Sequence, residues 1–185
     1  MDSAASSDRR FLAGDEDGLA EIIRDNKDGL ILYLNGFVND ISVAEALAED
    51  TFVKLAVKKP RDKGGASFRT WLYAIGRNLA VDWLRRRGRE RERSVPLEEQ
   101  MRSVEALEAD YIREERGREV RRAMSALSPD YRQVLWLVYF EQFSCREAAR
   151  VMRRSTHSVE TLAYRARRAL KEQLEKEGFS YDDIS

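Results

Sequence analysis

Apolar positions with helical spacing are densest from Phe68 to Arg87, FRTWLYAIGRNLAVDWLRRR. At ~100° per residue, Phe68, Trp71, Leu72, Ile75, Leu79 and Trp83 fall on one broad face. Tyr73, Val81 and Leu84 fall on the other side, alongside Arg77. A helix that is apolar on nearly every side predicts burial among other helices, yet this one ends in Arg85, Arg86 and Arg87. Trp71 is expected in the core. Tyr73 and Trp83 lie near arginines and fit either a core or a surface that stacks on unpaired bases.

The rest of the chain reads as helices joined by short breaks. Residues 1–14 are expected to lack regular structure, and 15–26 and 27–38 to form two short helices. Ser42 and Glu45 have capping-box spacing ahead of Val43, Leu47, Phe52, Leu55 and Ala56. PRDKGGAS, residues 60–67, is a loop whose Ser67 caps the next helix. Residues 91–117 are strongly charged, contain Pro96 and predict a flexible linker. A second unit follows over 118–177, with Val120, Met124 and Leu127 as its first apolar stripe. Ser128 is a predicted N-cap with Pro129 at the first helical position, and Ser144 with Glu147 a second capping box. A long helix is predicted from Thr156 to Glu177. It has Val159, Ala163, Ala166, Leu170 and Leu174 on one side, and Thr161, Tyr164, Arg165 and Arg168 on the other. Residues 178–185 form a tail. The fold class is all-α: two small helical domains, 15–90 and 118–177, on a flexible linker.

Composition agrees. The 185 residues are 36% charged, with 10 Gly and 3 Pro, and runs of strand-favouring residues are absent. One cysteine, Cys145, excludes an internal disulfide, and one His with one Cys makes no conventional zinc site. Cys145 and His157, in or near the turn before the last helix, are taken as structural. No apolar run approaches the ~20 residues that span a bilayer, and the first residues carry no apolar signal-peptide core. The expectation is a cytoplasmic protein without membrane insertion. No catalytic constellation appears: the acidic cluster Asp15, Glu16, Asp17 suits a helix start. The expectation is therefore no enzyme, no cofactor, no metal and no small-molecule substrate.

The formal net charge of zero conceals blocks. Residues 1–57 carry −7, 58–93 carry +8, 94–117 carry −4 and 118–177 carry +5. Two basic segments fit either ordinary solvated helix faces or a polyanion touched at two places. In the second segment a short helix, a tight turn and a longer helix with polar and basic residues facing out make a helix-turn-helix pattern. Thr161 and Arg165 lie one turn apart and can reach one major groove together. Arg146, Arg153 and Arg154 lie near the turn, placed for phosphates.

Both segments, in this order, resemble the bacterial extracytoplasmic-function (ECF) sigma factors over roughly residues 15–177. FRTWLYAIGRNLAVDWLRRR resembles the part of domain two that melts and reads the minus-ten element. ALAEDTFVKL, residues 46–55, resembles the helix that binds core RNA polymerase. ALSPDYRQVLWLVYFEQFSCREAARVMRRSTHSVETLAYRARRAL, residues 126–170, resembles domain four, which reads the minus-thirty-five element. The resemblance implies an alternative sigma factor whose partners are core RNA polymerase, promoter DNA and an anti-sigma factor. It places Leu47, Glu49 and Asp50 at the polymerase. It places Asn78 and the loop from Asp62 and Lys63 to Ser67 near an extruded minus-ten base, with Asp82, Arg85 and Arg86 toward the upstream duplex. It places Arg146, Arg154, Thr161, Arg165 and Arg168 at the minus-thirty-five element. Asn78 as a buried amide tying helices together is the competing structural role. Ala46, Glu160 and Leu162 depart from the usual pattern of Asp, a basic residue and Arg. A stand-alone helix-turn-helix regulator is the rival reading, and it leaves residues 42–87 unexplained. A helical adaptor that binds only protein is a third.

Overall fold

The computed structural model describes residues 3–58, 67–91 and 115–178, and the chain divides into two units, Met1–Ser103 and Val104–Ser185. The expected loop residues Asp62 and Lys63, most of the 91–117 linker and most of the 178–185 tail lie outside the described residues.

The first unit packs four helices: α1 (Ser3–Leu12), α2 (Glu16–Val38), α3 (Ile41–Val57) and α4 (Phe68–Arg91). Three expectations are corrected here. Residues 3–12 are helical rather than irregular, and Phe11 is the anchor: it is buried and meets the Phe68 ring edge-on at 5.8 Å. The two short helices expected over 15–38 are one. Asp15 caps its start, and at the expected break the Asn26 amide donates to the Ile22 carbonyl at 2.9 Å, inside a continuing helix. The N-cap of α3 is Asp40 rather than Ser42. Asn39 turns left-handed (φ 51°), which aims the Asp40 carboxylate at the N–H groups of Ser42 and Val43, at 3.0 and 3.2 Å.

Side chains of α1 and α2 lock α1 in place. Arg10 donates to Asp15 at 2.7 Å and to Glu21 at 2.9 Å, and Ser7 donates to Glu21. The Arg10 and Ser7 donors hold the carboxyls of Asp15 and Glu21 below their ordinary range. Gly18 makes the close approach possible. A Cβ there would stand 2.6 Å from the Phe11 nitrogen and 2.8 Å from the Ser7 carbonyl oxygen. The core beyond α1 is built from Leu30, Ile31 and Leu34 of α2, Ala44, Ala48 and Leu55 of α3, and Leu72, Tyr73 and Ala80 of α4. Tyr33 packs at 5.2 Å from Tyr73, and its full burial pushes its phenol above the ordinary range, so it stays neutral.

The second unit comprises α5 (Glu115–Ser125), α6 (Pro129–Leu135), a π-helical turn (Trp136–Phe140), α7 (Cys145–Met152) and α8 (Thr156–Lys176). Ser128 caps α6 with Pro129 in its first turn, as the sequence predicts. After Leu135 the helix widens into the π turn, where Trp136 and Phe140 stack face to face at 4.6 Å. The Ser144/Glu147 capping box forms in full. Arg153 closes α7 in left-handed backbone (φ 54°), and Ser155 caps α8. Val134, Leu135, Leu137, Val151, Met152, Val159 and Ala166 are the buried centre.

Gly18 and Gly36 make a paired prediction. Gly18→Ala forces α1 off α2 and is expected to destabilise the first unit by about 1–3 kcal/mol. Gly36→Ala, with nothing within 4 Å of the new Cβ, is expected to stabilise it by about 0.5–1 kcal/mol through helix propensity. Urea unfolding followed by circular dichroism measures both. Equal effects at the two glycines would contradict the close α1–α2 approach.

Candidate nucleic-acid interface

α3 buries Ile41, Ala44, Leu47, Ala48, Thr51, Phe52 and Leu55. Its opposite face shows Glu45, Ala46, Glu49, Asp50, Val53 and Lys54 to solvent. Glu49 and Asp50 are therefore available to a partner. Leu47 is not: it is 5% exposed and packs inside its own unit, which corrects its expected place at the polymerase. The apolar part of the free face is instead Val53 and Val57, 60% and 76% exposed. Periodicity held the signal for them, since two valines four apart follow Glu49 and Asp50 on one charged face.

α4 buries Phe68, Leu72, Tyr73, Leu79 and Ala80. Tyr73 is thus core, while Trp71, expected in the core, is partly exposed. A helix apolar all round has no periodicity to choose its inner face, and packing chooses it. The outer stripe runs Trp71, Ile75, Asn78, Asp82, Arg85 at spacings of three and four, so these residues share one side. Asn78 is partly exposed, and among the described residues no hydrogen bond holds its amide, unlike a buried amide tying helices together. Asp82 and Arg85 pair loosely at 3.8 Å with both side chains mostly exposed. Arg86 is exposed, and the Arg87 guanidinium lies 4.9 Å over the Trp83 ring. Ser67 serves as a cap, accepting from the Thr70 N–H at 3.3 Å.

α8 turns Val159, Ala163 and Ala166 inward. Arg165 and Arg168 are exposed, Thr161 partly so, and among the described residues neither arginine is in an ion pair. Tyr164, 61% exposed, precedes them on the same helix and was absent from the expected base readers. Glu160 is exposed too. Arg146 is exposed on α7, whereas Arg154 donates to Asp130 of α6.

Two family profiles cover these elements: Sigma-70 region 2 over residues 22–90 and Sigma-70, region 4 over 117–170. The chain is 30% identical over 148 residues to the RNA polymerase sigma-H factor of Pseudomonas aeruginosa, covering 75% of this chain and 77% of that one. It is 25% identical over 174 residues to the ECF RNA polymerase sigma factor SigW of Bacillus subtilis, covering 87% and 91%. The chain belongs to the ECF sigma-factor family. As an alternative sigma factor it directs transcription initiation, and the match to region 2 disfavours the stand-alone regulator. The family is one of initiation factors and is no known enzyme class. The sigma factor shares its fold with the sigma factor RpoE, solved in complex with the anti-sigma factor NepR from Bartonella quintana. That match has a TM-score of 0.65, 24% identity, and covers 84% of this chain and 96% of RpoE. It also shares its fold with CnrH in complex with the cytosolic domain of CnrY, at TM-score 0.63 and 22% identity, covering 94% and 95%. Among the described residues no helix is long and apolar enough to cross a membrane.

Asn78 provides the most local test. Because Asn78 is partly exposed and no described residue bonds its amide, Asn78→Ala is expected to leave the melting temperature within about 2 °C of the parent, as surface changes do. It is expected to weaken binding of a single-stranded minus-ten oligonucleotide several-fold. A collapse in thermal stability would return Asn78 to a structural role.

Proposed function

We propose that the sigma factor divides its contacts among three helix faces. The free face of α3, Glu49 and Asp50 with Val53 and Val57, engages core RNA polymerase. The outer stripe of α4, with Asn78, Asp82, Arg85 and Arg86, follows the minus-ten strand and the duplex upstream of it. Thr161, Arg165 and Arg168 of α8, with Arg146 and Arg154 nearby, bind the minus-thirty-five duplex. The observation that carries this reading is common to all three helices: each buries one face and leaves a polar or basic one to solvent. A bilateral helix of this kind supports its domain with one side and recognises a ligand with the other. The exposed arginines supply both the phosphate attraction and the forked donors that a guanine edge accepts.

The protein does no covalent chemistry in this reading. Its binding energy favours the unstacked promoter strand, since a base held outside the helix is worth more to it than a stacked one. It works in the cytoplasm, where polymerase and chromosome are. The complex of its structural neighbour RpoE with the anti-sigma factor NepR supports an anti-sigma protein as a further partner.

Reconstitution with core RNA polymerase tests the map. Asp50→Arg reverses a charge at the polymerase contact and is expected to cost about 2–5 kcal/mol of core affinity. Unchanged co-purification of a folded Asp50→Arg protein would count against the α3 assignment. Arg165→Ala is expected to relax sequence preference at one or two minus-thirty-five positions, at about 1–3 kcal/mol of discrimination. Arg168→Ala is expected to weaken every duplex alike and lower the salt dependence. If Arg165→Ala lowers all affinities equally, Arg165 is a phosphate clamp and specificity lies with Thr161 and its neighbours.

A further inference from the structure

The turn before α8 carries two arginines with different surroundings. Arg153 is exposed, and among the described residues it makes no ion pair. Arg154 is held twice: its backbone N–H donates to the Ala149 carbonyl at 3.0 Å, and its Nη2 donates to Oδ2 of Asp130. Asp130 sits in the first turn of α6, which Ser128 and Pro129 anchor. The two side chains are 36% and 45% exposed, so the pair stands at the surface rather than in the core. An exposed pair of this kind adds little to folding stability. Its position is more telling. Arg154 directly precedes the Ser155 cap, at the end of α8 that enters the groove in a helix-turn-helix. A guanidinium is a rigid planar fork with five N–H donors, and one bond to Asp130 leaves the others free.

We propose that Asp130 is a positioning residue for DNA binding: it holds Nη2 of Arg154 so that the remaining guanidinium donors face a backbone phosphate beside the minus-thirty-five groove. This rests on the reading of α8 as the duplex-binding helix. The physical gain is pre-organisation. A free arginine must freeze several rotamers when it grips a phosphate, whereas this one is already fixed. The contact is to the backbone, so it strengthens binding without selecting a sequence.

The sign of one substitution separates this from simple electrostatics. Removing an acid near a polyanion should strengthen binding if charge alone matters; loss of positioning weakens it. The sigma factor assembled with core RNA polymerase is titrated against promoter duplexes selected from a randomised library, at several salt concentrations. Asp130→Ala is expected to weaken every duplex by about two- to tenfold, the ordering cost of one long side chain. Asp130→Asn, which keeps an acceptor in place, is expected to stay near the parent. Arg154→Ala is expected to lower the salt slope by about 1, and Asp130→Ala added to it should bring no further loss. Unchanged or tighter binding by Asp130→Ala overturns the proposal, as does a loss that persists in the Arg154→Ala background. If Arg165→Ala alone impairs binding, only the positioning role falls. If Asp130→Ala, Arg154→Ala and Arg165→Ala all bind as the parent does, the assignment of α8 to the duplex falls with it.

Discussion

Three helices meet at Gly76, and the geometry of the first unit follows from that meeting. A Cβ on Gly76 would lie 3.1 Å from Leu30 Cδ1, 3.3 Å from Thr51 Oγ1 and 3.4 Å from Leu34 Cδ2. Leu30 and Leu34 belong to α2 and Thr51 to α3, so α4 is seated on both through bare backbone. Helices seated this closely cannot rotate without opening voids. The seating fixes which side of an almost uniformly apolar helix faces in. With Leu72, Tyr73, Leu79 and Ala80 buried, Trp71, Asn78, Asp82 and Arg85 have only the outside left. Thr51 fits at this crossing because its hydroxyl donates to the Leu47 carbonyl at 2.6 Å, so its own donor is satisfied. The same contact turns Glu49, Asp50 and Val53 to solvent.

The second unit reaches a comparable result with turns instead of a crossing. The left-handed Arg153 and the Ser155 cap make a tight reversal between α7 and α8, and the Ser144 capping box fixes the other end of α7. Small residues then let α8 settle: Ala163 and Ala166 are buried beside Val159. Long side chains on the far side, Tyr164, Arg165 and Arg168, stand clear of the domain. In both units a close-packed inner face aims a polar outer face, and recognition needs no separate structure to support it.

Much of this was legible in the sequence wherever the signal is local. The caps at Ser128, Ser144 and Ser67, the all-α class and the two faces of α8 depend on spacings within one or two turns. The misses depend on longer range. Asp40 and Ser42 are both good caps, and the left-handed Asn39 decides between them. Leu47 entered the polymerase site through resemblance to a motif, while its neighbours Ala44 and Ala48 show it on the inner face. Trp71 left the expected core, and Tyr73, open between core and surface, entered it, because α4 offers apolar residues in every direction and only α2 and α3 select among them. Residues 1–14 were expected to lack regular structure, and the anchors of α1, Phe11 on Phe68 and Arg10 on Glu21, join residues beyond local spacing. The Asp130–Arg154 pair spans 24 positions and two helices, beyond any periodicity.

We propose that two DNA-facing helices and one polymerase-facing helix act together to start transcription at chosen sites. Transcription in vitro from a randomised promoter library, with core RNA polymerase and this sigma factor as the only additions, measures it directly. The account predicts transcripts from promoters that share two conserved blocks, and the upstream block should lose definition when Arg165→Ala replaces the parent. Transcripts from core enzyme that are unchanged by the sigma factor, or initiation without any shared sequence upstream, would contradict it.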